Sequence, residues 1–139
     1  MREFRRITVL AATLAVSMFA LSEDVSAFDL TGAWATGADR CDKVFARKGR
    51  AKQVTFTSFS GIHGGGFIAE PSRLRTKFEN CLIKSRKDDG QDINLVVSCA
   101  SGIMLFNVQF FLKIVDDDSI TRLFPGAEEM EITYHRCKI

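Results

Sequence analysis

The chain has 139 residues, 46% of them hydrophobic and 26% charged, a formal net charge of +2, four cysteines and a single tryptophan. So nearly neutral a balance gives no ground for a nucleic-acid partner. So short a chain leaves room for one modest core and excludes two full-sized domains.

Residues 1–27 have the layout of a cleaved secretory signal. Arg2, Arg5 and Arg6 precede an apolar run from Ile7 to Leu21, and Val25-Ser26-Ala27 offers small residues where a signal peptidase reads. The alternative, a membrane anchor, needs roughly 20 apolar residues, which this run does not reach. The mature chain is therefore expected to span 28–139 as one domain, periplasmic or secreted, with no transmembrane segment left after cleavage. Its charge is unevenly spread. Residues 40–87 hold twelve Lys or Arg against Asp42, Glu70 and Glu79, whereas residues 88–139 hold four basic side chains against nine acidic ones.

Asp29-Leu30-Thr31-Gly32-Ala33-Trp34 opens the mature chain. Leu30, Gly32 and Trp34 share a parity, so a first strand there lays the tryptophan on a core, and Gly32 lets a neighbour approach it closely. This Gly-x-Trp opening resembles that of lipocalins and of bacterial secreted inhibitors of alkaline metalloproteases, which implies an eight-stranded antiparallel barrel. A longer set of segments resembles a group of small periplasmic proteins from alphaproteobacteria: the Asp29–Ala35 stretch, Asn107-Val108-Gln109-Phe110, Ile120–Gly126 and Tyr134-His135-Arg136-Cys137. That resemblance implies a compartment and a shared fold and carries over no functional residues.

Ala46–Lys52 is a basic turn bent at Gly49, followed by alternation at Val54 and Phe56. Gly61–Gly66, GIHGGG, is expected to be a loop, because its glycines cost too much entropy for an ordinary strand. His63-Gly64-Gly65-Gly66 matches the oxyanion loop of some lipases, but the chain has no Gly-x-Ser-x-Gly nucleophile elbow to go with it. Phe67–Glu70 reads as a strand, Pro71-Ser72 as a turn, and Arg73–Phe78 as a strand with Leu74, Thr76 and Phe78 inward.

Cys81–Lys87 and Asp92–Cys99 form a hairpin around Asp88-Asp89-Gly90-Gln91. Centring the turn on Gly90 sets Cys81 opposite Cys99, Ile83 opposite Val97 and Ser85 opposite Leu95, with Lys84 and Arg86 outward. Arg73, Arg75, Lys77, Lys84 and Arg86 would then share one basic outer face, a candidate contact for anionic envelope polymers or lipid head groups. A solubilising face without a partner is the alternative.

Gly102–Phe124 carries the most regular pattern. Met104, Phe106, Val108, Phe110, Leu112 and Ile114 fall on one parity; Asp116–Asp118 make a solvated turn; and Ile120–Phe124 return as a second strand. The three aspartates lack the glycine and distal glutamate of a calcium loop. A last strand from Met130 to Cys137 puts Met130, Ile132 and Tyr134 on one face.

Four cysteines in an exported chain are most simply two disulfides, for which three pairings exist. Facing positions in the hairpin favour Cys81–Cys99, leaving Cys41–Cys137. A metal site is the rival, but no Cys-x-x-Cys spacing occurs. The expected fold is all-β, a small antiparallel up-and-down barrel of lipocalin-like kind with eight or nine strands, or alternatively a β-sandwich. The expected core contains Trp34, Phe56, Phe78, Ile83, Val97, Phe106, Val108, Phe110, Leu112, Ile132 and Tyr134. No catalytic constellation can be assembled from spacing, so a non-enzyme without cofactor or metal, and a monomer, is expected. Two functions stay open: a binding module for a small apolar or amphipathic ligand in the barrel mouth, and a secreted inhibitor of a protease or lysozyme. A cavity of a few hundred Å³ would favour the first, and a filled barrel with an exposed apolar loop or a free N-terminal arm the second.

Overall fold

The structure is a computed structural model and describes residues 26–139; the expected leader lies outside the described residues except for Ser26 and Ala27. It contains strands β1 (Gly32–Ala35), β2 (Phe45–Lys48), β3 (Gln53–Phe56), β4 (Gly66–Glu70), β5 (Arg73–Arg75), β6 (Asn80–Asp89), β7 (Asp92–Ser101), β8 (Met104–Asp116), β9 (Ser119–Leu123) and β10 (Ile132–Cys137). One helical turn, α1 (Cys41–Val44), sits between β1 and β2. Eight strands close into an antiparallel barrel in the order β1-β10-β9-β8-β7-β6-β5-β4, while β2 and β3 pair separately. Closure is made by β1, which pairs with both β4 (Gly32 opposite Ala69) and β10 (Ala33 opposite Cys137). That ladder leaves no open sheet pair and so excludes the sandwich.

Trp34 is fully buried. Its ring begins an aromatic column, 6.3 Å from Phe67, which in turn meets Tyr134 edge-on at 5.0 Å. The Gly66 backbone lies so close to Trp34 that a Cβ on it would sit 2.1 Å from the Trp34 carbonyl oxygen, so only glycine fits there. Ile93, Leu95 and Val97 of β7 fill the middle of the barrel. Each such side chain contributes about 1.5–3 kcal/mol on burial.

The other parity of β1 is buried as well. Ala33, Ala35 and Ile68 point out of the barrel, but α1 and the β2–β3 hairpin cover them with Val44, Phe45 and Phe56 in a second apolar cluster. Cys41–Cys137 bolts this cover to β10, and Cys81–Cys99 bridges β6 and β7, the two pairings expected from the sequence. The longer and shorter closures are worth about 4–5 and 3 kcal/mol on the chain-entropy account.

Three details depart from the sequence reading. Phe78 is 77% exposed, because β5 ends at Arg75 and residues 76–79 form a turn: Thr76 N–H donates to the Glu79 carbonyl at 3.0 Å and the Glu79 N–H donates to Thr76 Oγ1 at 3.0 Å. β6 carries a bulge at Lys84: Ile83 faces Val97, yet Ser85 faces Val96 rather than Leu95. The extra residue reverses parity beyond it, so Arg86 lies opposite the buried Leu95 and on the inner side. Third, residues 60–63 of the glycine-rich segment wind into a 3₁₀ turn and Gly66 enters β4. Of the remaining expected core, Trp34, Val97 and Leu112 are buried, while Phe56, Ile83, Phe106, Val108, Phe110, Ile132 and Tyr134 are half-buried.

Candidate functional site

The two ends of the barrel differ in kind. At one end the chain entering β1 folds across the opening. Trp34 Nε1 donates to the Leu30 carbonyl at 2.8 Å. Arg136, on β10, donates to the carbonyls of Thr31 and Asp29, both at 2.7 Å, and pairs with Asp118 at 3.4 Å. Its guanidinium also lies 4.3 Å over the Trp34 ring. Arg86, turned inward by the bulge, donates to the Phe28 carbonyl at 2.6 Å while Asp88 holds it through two 2.7 Å contacts. Those hydrogen bonds to Asp88 push the Arg86 pKa up. Asp29 accepts from the Thr31 hydroxyl at 2.7 Å and the Thr31 N–H at 2.9 Å. The hydroxyl contact first, then the amide and the charges of Arg136 and Arg86, hold its carboxyl below the ordinary range. Two arginines thus tie residues 28–31 down, and this stretch is no free arm.

The opposite end is open and apolar. β9 leaves β8 after Leu123 pairs with Phe111, so residues 104–110 of β8 pair with β7 alone. Beyond that point β8 presents a bare edge, while β7 stays paired with β6 as far as Ala100 opposite Asn80. The tip of the β7–β8 hairpin exposes Ile103 completely, Leu105 by 81% and Met104 by 63%, and Phe78, two residues before β6, is exposed as well. The twenty residues Ile93–Leu112 carry no charge at all. Sheet edges are normally guarded by charged side chains, and this one is not.

Inside the lip lies a cavity of about 80 Å³ lined by Phe67, Leu74, Cys81, Phe110, Leu112 and Tyr134, with Thr76, Glu79 and Arg122 as polar neighbours. Larger depressions, about 580 and 300 Å³, are open grooves beside the N-terminal segment. Arg122 was not among the sequence candidates. It sits on the parity of Ile120 in β9, the inward parity, opposite Leu112, and an arginine at such a position is the signal that marks it.

The five basic candidates do not form one face. Arg73 and Arg75 share the outer side of β5, where Arg75 pairs with Glu70 at 3.0 Å. Lys77 belongs to the 76–79 turn, donates to the Ser58 carbonyl and lies 5.8 Å over Phe78. Lys84 is the exposed bulge residue, and Arg86 is committed to the closed end. Among the described residues no group of three or more His, Cys, Asp or Glu side chains could hold a metal ion, and no helix is long and apolar enough to cross a membrane.

Comparison with protein-family models, with curated proteins and with solved structures finds no match.

Proposed function

We propose that this chain is an exported binding module that docks its open end into the concave active-site cleft of a partner hydrolase, in the manner of a secreted inhibitor of a protease or lysozyme. The observation that carries the reading is a contrast of volumes and surfaces. The cavity inside the open lip holds about 80 Å³, whereas Ile103 at the hairpin tip is fully exposed. Sites for drug-sized ligands run to about 300–1,000 Å³, so the cavity at the open lip suits a ligand of that class poorly. The hairpin tip and the bare β8 edge beside it carry no charge and so desolvate cheaply in an enzyme cleft. The two disulfides fit an exported setting.

A photo-crosslinking amino acid placed at Ile103, with a second copy of the experiment placing it at Asp89 near the closed end, tests this in the native cell. The expected result is one protein adduct specific to position 103, and loss of that protein's hydrolytic activity when the purified domain is added. Adducts formed equally from both positions, or an adduct whose activity the domain leaves unchanged, contradict the reading.

A further inference from the structure

Three of the barrel's arginines are spoken for: Arg75 by Glu70, Arg86 by Asp88 and the Phe28 carbonyl, Arg136 by Asp118 and the N-terminal carbonyls. Arg122 is different. β9 sets it opposite Leu112 and Ile132, on the inner side at the lip of the barrel. Its guanidinium carbon lies 4.0 Å from the centroid of Phe110 and 4.7 Å from that of Phe124. Two rings therefore satisfy the faces of the cation and hold it in place. They do nothing for its N–H edges. Among the described residues no carboxylate comes within 4.0 Å of it.

A planar fork of donors, immobilised by aromatic packing and left without an acceptor, is suited to a carboxylate, which it meets with two parallel hydrogen bonds. The cavity beside it adds an apolar requirement. Its walls are Phe67, Leu74, Phe110 and Leu112, and Thr76 and Tyr134 belong to the same lining. At about 80 Å³ it has roughly half the room of a 150 Å³ cavity that accepts benzene, which limits the apolar part to about three to five carbon atoms. Glu79, also in the lining, repels a second negative charge and so favours a monoanion.

We infer that the lip of the barrel binds a short apolar monocarboxylate, with the carboxylate on Arg122 and the aliphatic part in the cavity. This chemistry has two sources, a free short-chain acid or the C-terminal residue of a polypeptide with a small apolar side chain. The inference stands apart from the hairpin reading: a variant at Ile103 that abolished docking would leave it in force.

Calorimetric titration of the whole mature domain, disulfides intact, uses four probes: butanoate, the neutral butan-1-ol, and a pentapeptide ending in valine as free acid and as amide. Butanoate is expected to bind and butan-1-ol not. Arg122→Gln should weaken the carboxylate by about tenfold or more, the worth of a charge-assisted hydrogen bond, with Arg122→Lys in between. Glu79→Gln should tighten it, and Lys84→Ser should leave it unchanged. A free-acid peptide binding more tightly than butanoate, with the amide inert, identifies the chain terminus as the source; the reverse order identifies the free acid. Thermal melts of each variant separate loss of the site from loss of the fold. Equal binding of butanoate and butan-1-ol, unchanged affinity in a folded Arg122→Gln domain, or no binding of any carboxylate probe overturns the inference.

Discussion

Arg136 lies with its guanidinium 4.3 Å over the ring of Trp34 while its N–H groups reach the carbonyls of Thr31 and Asp29. One side chain thus covers the tryptophan and fixes the segment that closes the barrel above it. Arg136→Ala should cost about 2–4 kcal/mol, combining charge-assisted hydrogen bonds with a partly desolvated cation–π contact. Arg136→Lys should recover less than half, since an ammonium cannot stack and fork at once. Urea unfolding of the oxidised domain measures both.

The disulfides are expected to be unequal. Replacing Cys41 and Cys137 by Ala opens a closure of 96 residues, and replacing Cys81 and Cys99 opens one of 18. The first pair should therefore cost about 4–5 kcal/mol and the second about 3 kcal/mol. The midpoints of chemical unfolding of the two double variants give the order directly.

The Lys84 bulge assigns different weights to neighbouring basic residues. Arg86→Ala, which removes the contact to the Phe28 carbonyl and strands Asp88 without its partner, should destabilise by about 1–2 kcal/mol after allowance for solvent screening. Lys84→Ser and Arg73→Ser should stay within about 0.5 kcal/mol. Equal costs at all three positions would mean that the parity reversal at Lys84 is wrong.

Much of this architecture could be read from residues alone, for identifiable reasons. The β6–β7 register near the disulfide was legible because Cys81 and Ile83 have partners of matching chemistry in Cys99 and Val97. The bulge was not, since Lys84 differs in no way from a regular outward lysine. Phe78 was misplaced because alternation was extended through Thr76, whose hydroxyl instead captures the Glu79 amide and ends the strand. The outer cluster around Val44 and Phe45 stayed hidden because Gly32-Ala33-Trp34-Ala35 alternates large and small, not apolar and polar. At the open end, the missing charges from Ile93 to Leu112 were visible in the sequence. Their meaning was not, because it depends on β9 ending at Leu123 and leaving the β8 edge uncovered.

The closed end should respond to acid through Asp29. Its folded-state pKa is lowered from 3.8, by the Thr31 hydrogen bonds first and by Arg136 and Arg86 after them. A depressed carboxylate pKa adds stability above the unfolded value, and that stability disappears as pH falls through the folded value. Asp29→Asn should therefore flatten the acid limb of the stability profile below pH 3.8 and lower stability modestly at neutral pH. Unfolding free energies of the two proteins at a series of pH values check the sign.

The central claim, that the open end and its uncharged hairpin carry the function, is tested most directly by the affinity of the crosslinked partner for two variants. Ile103→Asp places a charge at the hairpin tip, and Asp89→Asn alters the opposite, closed end. Burying an unpaired carboxylate in an enzyme cleft should weaken binding by about a hundredfold or more. The account expects that loss for Ile103→Asp with an unchanged melting temperature, and wild-type affinity for Asp89→Asn. Undiminished binding by a folded Ile103→Asp domain would contradict it.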